Sequence, residues 1–413
     1  MTAAVSSAMP VPGDFPPPPD PATRRAWLAD DATRRPGRLA ALRERMAGEG
    51  VDAYFGLRPE HMRWLTGFAL GNGEEKVAGH SGQFLVGEDS VILVTDSRYT
   101  VQAQREAPEA VVAEIGYDLD AAWPGLVSRL GAKRVAVESA VVSHALWSRL
   151  AAADPSIELV PVDGWLESLR AVKTDTEVER IAAASAVADR ALAALLPEVR
   201  PGAIEHDLAL RLEWLMRTGG AEALAFDVAC LAGPEAALPH GSPGDRPVLR
   251  DSVLLFDFGA QVEGYRSDMT RTLFVGEPTG RDLELYELVA RAQQASIDAV
   301  AASVAAARGG GPLLTGPAAD AAARDVIEAA GYGDQFGHGT GHGIGLATHE
   351  RPSLSRSGLD EPLPSPTVFS VEPGVYLPGE TGVRIEDLIH LDAARGITER
   401  LTGFPRSILA LPG

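Results

Sequence analysis

The sequence is poor in cysteine, in positive charge and in long apolar runs, and each scarcity excludes a class of protein. Cys230 is the only cysteine among 413 residues, so no internal disulfide can form and a reducing compartment is expected. The formal net charge of -20 argues against nucleic acid or an anionic membrane surface as partner, because both need a basic patch. No stretch reaches the ~18 apolar residues of a membrane span, and the first residues lack the pattern of a signal peptide. We therefore expect a cytoplasmic protein.

Length and local patterning predict two domains and a tail. A chain of 413 residues is too long for one core. Residues 1–32 are rich in proline, which favours an extended or mobile tail, although the segment could instead lie against the body of the protein. Strand and helix patterns alternate through residues 33–170, as in a small α/β domain. Residues 171–413 begin with a long helix, for which Thr174 or Asp175 is the predicted N-cap, and then become rich in strands.

The first chemical signal is a predicted hairpin with two acidic residues. Residues 254–259 and 265–270 are typical of strands, and a turn near Val262–Glu263 would place Asp257 opposite Asp268. Opposed side chains of an antiparallel pair have β-carbons about 4.5–5.5 Å apart. Two carboxylates at that distance repel each other unless a cation or a shared proton lies between them.

The same arrangement recurs near the end of the chain. The run Val368–Glu372 is typical of a strand, and Val383–Ile389 is typical of its return strand. A connection centred near Gly379 would place Glu372 opposite Glu386. Either hairpin alone would be a weak signal, because a single strand carboxylate usually faces solvent.

Between the hairpins in sequence lies a loop rich in glycine and histidine. Its histidines are His338, His342 and His349, and glycines alternate from 337 to 345. Glycine lets a backbone adopt unusual dihedral angles and approach a ligand closely. A lone loop histidine is more often hydrogen-bonded than a ligand. One imidazole with four carboxylates is unsuited to a closed structural zinc site and suits manganese, cobalt or zinc in a two-metal arrangement.

Other catalytic motifs fit the sequence less well. Phosphate-binding loops need glycines five apart, which alternation by two does not supply, and His349-Glu350 lacks the second histidine of a zincin helix. Cys230 lies in an apolar run and is interpreted as a buried core thiol. The histidines outside these motifs are interpreted as structural or surface residues: His61, His80, His144, His206 and His390.

In this order the motifs resemble those of the pita-bread metallopeptidases, which include methionine aminopeptidase, aminopeptidase P and prolidase. The resemblance covers residues from about 170 to 413. The N-terminal region resembles the creatinase-type domain of the proline-specific branch, which methionine aminopeptidases lack. The strings that carry the resemblance are Phe256-Asp257-Phe258-Gly259-Ala260, Tyr265-Arg266-Ser267-Asp268-Met269-Thr270-Arg271, Gly339-Thr340-Gly341-His342-Gly343, Val371-Glu372-Pro373-Gly374, Val383-Arg384-Ile385-Glu386-Asp387 and, in the N-terminal region, Trp64-Leu65-Thr66-Gly67-Phe68. The implied fold is an α/β N-terminal domain followed by an α+β pita-bread catalytic domain.

The resemblance also implies a dinuclear metal centre. Manganese is favoured, with cobalt or zinc as alternatives. Asp268 and Glu386 would bridge both ions, Asp257 would hold one, and a hydroxide between the ions would attack the scissile carbonyl. Glu372 would carry the proton to the leaving nitrogen. The full implied ligand set is Asp257, Asp268, His342, Glu372 and Glu386.

Further roles follow from the resemblance for residues around the metals. His349 would steady the tetrahedral intermediate, and His240 would contact the substrate or the intermediate. His338 would lie beside the pocket for the proline ring. Arg384 would orient Glu386 or contact substrate, with a structural ion pair as the alternative. Ala347-Thr348 stands where the family frequently has an acidic residue and a valine, which affects the pocket wall and no ligand.

The resulting hypothesis is a metal-dependent exopeptidase that cleaves the Xaa-Pro bond at a peptide N-terminus. The first interpretation is an Xaa-Pro aminopeptidase. The alternatives are an Xaa-Pro dipeptidase (prolidase), a hydrolase of a small non-peptide substrate on the same fold, and a non-catalytic peptide-binding module. The expected partners are a peptide with proline at the second position and further copies of the chain in a dimer or tetramer.

Overall fold

The computed structural model describes residues 6, 8–70, 81–116 and 118–413. They form two compact units, one comprising Ala22–Leu169 and the other Met1–Pro21 with Arg170–Gly413. The predicted order, an α/β domain followed by an α+β domain, is confirmed. His80 lies outside the described residues. Among the helices of the described ranges, none is long and apolar enough to cross a membrane.

The unit Ala22–Leu169 is built on one mixed sheet of six strands in the order β4-β3-β2-β1-β5-β6. Strand β1 pairs parallel with β5 and antiparallel with β2. Trp123 packs edge-on against Phe55 inside the unit's hydrophobic core. Its elements are α1 (Pro21–Glu49), β1 (Ala53–Gly56), α2 (Pro59–Thr66), β2 (Gln83–Val86), β3 (Val91–Thr95), α3 (Thr100–Glu106), β4 (Val111–Glu114), α4 (Leu119–Arg129), β5 (Arg134–Glu138), α5 (His144–Ala153) and β6 (Glu158–Val162).

The other unit packs four long helices against several small, mainly antiparallel sheets. Helix α6 contains the division between the units and the predicted boundary after residue 170. Helix α6 spans Trp165–Ala171, and the unit that contains Arg170–Gly413 continues with the helices α7 (Asp175–Leu195), α8 (Glu205–Thr218), α9 (Gly280–Ala307) and α10 (Gly316–Ala329). Short 3-10 helices are Pro12–Asp14, Leu196–Glu198, Gly233–Ala237 and Gly333–Gln335.

The strands of the unit that contains Arg170–Gly413, and the turns next to them, carry the predicted metal ligands. Sheets have the orders β11-β10-β7, β20-β12-β9-β8, β14-β13-β15-β18-β19 and β16-β17. The strands are β7 (Ala223–Leu224), β8 (Ala229–Ala232), β9 (Ser252–Phe258), β10 (Ala260–Val262), β11 (Tyr265–Arg266), β12 (Met269–Val275), β13 (Gly341–Gly343), β14 (Glu350–Leu354), β15 (Thr367–Val371), β16 (Gly374–Leu377), β17 (Thr381–Arg384), β18 (Asp387–Asp392), β19 (Ile397–Arg400) and β20 (Ala410–Leu411).

Helix α7 begins as the sequence predicts. The Thr174 hydroxyl accepts a hydrogen bond from the Glu177 backbone N–H, and the Glu177 carboxylate accepts one from the Thr174 N–H. This capping box satisfies two backbone donors that the first helical turn leaves free.

The proline-rich segment differs from a tail that ends at residue 32, because α1 begins at Pro21. Proline suits a first helical position, where no hydrogen-bonded N–H is needed. Before the helix, the chain lies against the unit that contains Arg170–Gly413, the arrangement that the sequence left open. Ser6 forms a bridge with Leu409, and the buried Phe15 ring stacks on Phe404 at 6.1 Å.

Candidate metal centre

The first acidic hairpin forms, but in a different register from the predicted one. Asp257 pairs with Thr270, and the predicted opposition to Asp268 is wrong. The two turn residues are Glu263 and Gly264, whose φ angles of 47° and 84° are the positive values that a type I′ turn requires. The turn lies one residue later than expected, which moves the partner by two positions. Asp268 remains on the same face as Asp257, because side chains alternate with a period of two.

The second hairpin has the predicted register but is interrupted at its acidic residues. Val371 pairs with Asp387 in one ladder and Gly374 pairs with Arg384 in the other, so Glu372 lies opposite Glu386 between them. The backbone N–H of Glu372 donates to Thr340 O at 2.7 Å, and that of Glu386 donates to Thr270 O at 3.1 Å. Both acidic residues therefore lie where neighbouring sheets meet.

The alternating glycines of the histidine loop permit close packing. None of the five glycines from 337 to 345, all of them described, has a positive φ angle, so the loop does not use the left-handed conformations that glycine permits. A β-carbon on Gly341 would lie 1.9 Å from Ser370 O, and one on Gly343 would lie 2.0 Å from Arg351 O. Strand β13, which carries His342, thus fits directly between β14 and β15.

Asp268, His342 and Glu386 each offer a ligand atom within 4.8 Å of the others. His342 Nε2 lies 3.7 Å from Asp268 Oδ2 and 3.3 Å from Glu372 Oε1. His342 Nδ1 is 3.0 Å from the carbonyl oxygen of Gly343, which can only accept, so Nδ1 carries the hydrogen. The lone pair of a neutral imidazole then faces the carboxylates, as in histidines that bind metals.

The carboxylates of the site carry more negative charge than the neighbouring side chains compensate. Burial, followed by the charges of Glu386 and Asp257, raises the pKa of Asp268 well above its usual range. Burial, with the charge of Glu372 next, raises the pKa of Glu386 well above its usual range. Burial also raises the pKa of Asp257, although Arg384 opposes the shift.

Glu372 and His342 titrate in the opposite sense. Burial disfavours the charged form of Glu372, but the hydrogen bond with His342 and that residue's charge outweigh burial and lower the pKa of Glu372 to about 2. Burial disfavours the imidazolium of His342, but Glu372 outweighs it and raises the pKa of His342. Without a metal ion the pair therefore favours a carboxylate beside a charged imidazole, whereas a bound cation would require the neutral ring with its Nε2 lone pair.

Two buried oxygens of this cluster lack hydrogen-bond partners among the described residues: Asp257 Oδ1 and Glu386 Oε1. Leaving a buried acceptor unpaired costs about 1–3 kcal/mol, and more when it is charged. Four carboxylates face one arginine, Arg384, and one imidazole. Hard oxygen donors in this number fit divalent metal ions, and a cation would satisfy both free oxygens.

Arg384 connects the two hairpins. Its Nη2 donates to Asp257 Oδ2 at 2.5 Å and its Nε donates to Thr270 Oγ1 at 2.9 Å. The Thr270 hydroxyl in turn donates to Glu386 Oε2 at 2.8 Å. Arg384 is 2% exposed, and its hydrogen bonds orient one carboxylate directly and a second through a hydroxyl.

The remaining predicted site residues surround this cluster. His338 Nδ1 is 2.8 Å from Gly339 O, and its Nε2 is 2.8 Å from Tyr376 Oη; burial lowers the pKa of its ring. The rings of His349 and His342 are 4.2 Å apart. Burial, then the charges of His342 and nearby residues that include His240, lowers the pKa of His349. His240 itself is exposed.

Sequence reasoning missed several residues that hold these side chains. Ser370 Oγ donates to Glu372 Oε1 and accepts from the His342 N–H, both at 3.0 Å. Tyr376 Oη donates to the acceptor nitrogen of His338 and accepts from Arg384 Nη1 at 3.0 Å. The β15 strand pattern places Ser370 two residues before Glu372 on the same face, which is a usable signal. Tyr376 lies beyond the strand interruption, where periodicity gives no such indication.

Comparisons with known proteins agree with this geometry. Residues 179–393 match the family model for metallopeptidase family M24, and residues 38–172 match the Creatinase/Prolidase N-terminal domain. An Xaa-Pro dipeptidase of Pyrococcus furiosus is 38% identical over 61% of this chain and 69% of its own length.

Two solved structures are similar over nearly the whole chain. The Xaa-Pro dipeptidase from Bacillus anthracis has a TM-score of 0.81 at 32% identity, covering 91% of this chain and 100% of that one. The X-Pro aminopeptidase from Thermotoga maritima has a TM-score of 0.74 at 36% identity, covering 88% of this chain and 98% of that one. The predicted creatinase-type and pita-bread domains are thereby confirmed, and the chain belongs to metallopeptidase family M24.

Proposed function

We propose that this metallopeptidase is an Xaa-Pro dipeptidase. The observation that carries the proposal is the cluster of Asp268, His342 and Glu386, with Glu372 Oε1 3.3 Å from His342 Nε2, in a chain whose relatives in Pyrococcus furiosus and Bacillus anthracis bear that name. The sequence placed the aminopeptidase reading first. The names of the relatives favour the dipeptidase, which the sequence had kept as an alternative.

The proposed cofactor is a pair of divalent metal ions, with manganese favoured over cobalt or zinc. Bound there, the ions would lower the pKa of a bound water and stabilise the negative charge that develops on the scissile carbonyl oxygen. Asp268 and Glu386 are proposed to contact both ions. The complete proposed ligand set is Asp257, Asp268, His342, Glu372 and Glu386.

Glu372 is the proposed proton carrier. Ser370 donates to Glu372 Oε1 at 3.0 Å and so fixes one carboxylate oxygen, which orients the group to accept a proton from the attacking water. The same carboxyl group would then give that proton to the leaving nitrogen, as general acid and base catalysis requires. The orientation of Glu372 depends on strands β13 and β15, which hold its backbone and that of His342.

Three histidines are proposed to contact the substrate. His338 lies edge-on to Phe336 at 5.1 Å and against Tyr376 at 5.4 Å, which makes an aromatic wall suited to a proline ring. His349 is proposed to steady the tetrahedral intermediate, because it is exposed beside the ligand His342. His240, whose charge acts on His349, is proposed to contact the substrate or the intermediate, and Arg384 to orient Asp257 and Glu386.

An Xaa-Pro aminopeptidase acting on longer peptides is the second candidate. The observation in its favour is the X-Pro aminopeptidase from Thermotoga maritima, which is 36% identical to this chain. The two activities share bond and metal centre and differ in whether residues after proline are accepted. A cytoplasmic location and a homo-oligomer complete the proposal.

The test offers Xaa-Pro dipeptides and matched Xaa-Pro-Yaa tripeptides to protein that has been stripped with a chelator and reloaded with manganese. The dipeptidase proposal predicts rapid cleavage of dipeptides and little cleavage of tripeptides. Efficient tripeptide cleavage would instead establish the aminopeptidase. Bound metal with neither activity would exclude both and favour another small substrate, and absence of metal binding would favour a peptide-binding module.

A further inference from the structure

His349 is held by its neighbours in the chain. Its side chain is exposed, and no hydrogen bond joins its ring to any residue within the described ranges. An unrestrained histidine would sample several rotamers. A group that must meet a developing charge acts through its fixed position. Apart from the contact between its ring and that of His342, the restraint on His349 comes through the backbone.

The residue after His349 is anchored in the interior. Glu350 has a side chain 4% exposed and pairs with two cations. Lys173 Nζ lies 2.7 Å from Glu350 Oε1, and Arg170 donates to Glu350 Oε2. Both cations are as buried as the carboxylate, at 3% for Arg170 and 1% for Lys173. The pKa of Glu350 is lowered: burial opposes the charge, and Arg170 and Lys173 outweigh it.

The loop before His349 folds tightly over this carboxylate. The Ala347 N–H is 3.4 Å from Glu350 Oε2, and a β-carbon on Gly345 would come within 2.4 Å of Glu350 Oε1. Gly345 N also donates to Ala347 O at 3.0 Å. The glycine at 345 is therefore what lets the loop close around the buried charge.

The residue before His349 is anchored as well. The Thr348 hydroxyl donates to Ala225 O at 3.2 Å and accepts from Arg266 Nη1 at 2.9 Å. Thr348, one of the two residues that differ from the sequence frequent in the family, therefore has structural partners in Ala225 and Arg266. His349 lies between two restrained residues, and its ring points to His342.

We propose that the buried Arg170–Glu350–Lys173 cluster is the positioning device for His349, fixing its imidazole against the metal centre. The proposal rests on the proposed role of His349 in catalysis. Arg170 and Lys173 precede the capping box of α7 in the chain, and Lys173 N donates to Pro366 O at 2.8 Å. The cluster therefore joins the His349 loop to the backbone that leads into α7.

A double-mutant cycle separates positioning from general stability. In the metal-loaded protein, Glu350→Gln is expected to lower kcat on the order of 10- to 100-fold with KM and bound metal unchanged. In a His349→Ala background the same change should alter kcat by less than about two-fold, because its effect passes through His349. An equal loss in both backgrounds would overturn the proposal.

A gentler variant covers the case in which Glu350→Gln does not fold. Lys173→Met leaves the Arg170–Glu350 pair in place, and its loss of kcat should be smaller but equally dependent on His349. The control for Glu350→Gln is Glu198→Gln, which makes the same substitution in an exposed ion pair with Arg211 and should leave kcat unchanged. A Lys173→Met loss that persists without His349 would count against the proposal.

A readout independent of activity distinguishes this proposal from the proposed function. In protein with 15N-labelled histidines, the His349 ring signal is identified by its loss in His349→Ala. Glu350→Gln or Lys173→Met should shift or broaden that signal while the His144 and His206 signals stay unchanged. If the His349 signal were unaltered in Glu350→Gln and Lys173→Met, the positioning role would be refuted. If the signal shifted in these variants but the wild-type protein had no peptidase activity, only the proposed function would be refuted.

Discussion

Arg384 Nη2 lies 2.5 Å from Asp257 Oδ2, so one proposed metal ligand is already oriented by a buried cation. The same guanidinium holds Thr270, whose hydroxyl bonds Glu386. Carboxylates from both hairpins therefore share one organising residue. Partners of this kind, which hold ligands in place, typically change metal affinity when they are removed.

Arg384→Lys should weaken metal binding although it keeps the charge. Lysine cannot reach Asp257 and Thr270 together with a planar fork, so manganese affinity is expected to fall on the order of 10- to 100-fold. Titration calorimetry on chelator-stripped protein measures the change. Arg281→Lys, in the exposed pair with Glu380, is the matched control. Equal affinities for wild type and Arg384→Lys would contradict the orienting role.

Without metal, the protein should lose stability as the pH rises. The folded-state pKa values of Asp257, Asp268 and Glu386 are raised. Their contribution to the free energy of unfolding is therefore full below the unfolded values of about 3.9–4.3 and is lost as the pH rises through the folded values. Urea unfolding of chelated protein from about pH 4.5 upward should show this decline, and saturating manganese should remove most of it.

Asp189 provides the control for that experiment. Burial raises the pKa of Asp189 to about 6, so it adds a decline of the same sign away from the metal ligands. In Asp189→Asn this part disappears, and the part that manganese removes should remain. The decline has to be greater in chelated than in manganese-loaded protein, and an equal pH dependence in both would contradict the electrostatic description of the site.

Phe15→Ala should destabilise the unit that contains Arg170–Gly413. The ring is 8% exposed and stacks on Phe404, and truncating a buried phenylalanine costs about 3 kcal/mol. The shift in the denaturant midpoint, at constant slope, measures the loss. Met9→Ala, at a side chain 39% exposed, should have little effect. If Phe15→Ala had an equally small effect, packing of the segment before α1 would add no stability.

Alanine substitution should be harmful at one glycine of the histidine loop and tolerated at another. At Gly341 a β-carbon would meet the backbone oxygen of Ser370 at 1.9 Å, whereas at Gly337 nothing lies within 4 Å. Gly341→Ala should cost about 1–3 kcal/mol of stability and lower both kcat and metal content, because Ser370 holds Glu372. Gly337→Ala should retain activity. Similar metal content in both variants would refute the close-packing explanation.

Local signals predicted much of the fold and part of the site. The Thr174–Glu177 capping box follows from residue types three apart. The register around Gly379 follows from the prolines and glycines that interrupt the strand pattern between two predicted strands. The first hairpin did not follow, since the turn depends on Glu263 accepting a positive φ angle, which strand patterning does not specify. Contacts such as Tyr376 with Arg384 join separate strands, and periodicity carries no information on them.

In the interrupted hairpin, two separate ladders of strand pairing fix the register of the acidic residues. The β15–β18 ladder and the β16–β17 ladder each set the same alignment of Glu372 with Glu386. A change in the length of the turn between Leu377 and Thr381 leaves the outer ladder to keep that alignment. This part of the chain can therefore accept insertions and deletions during evolution, whereas β13, confined by its glycines, cannot.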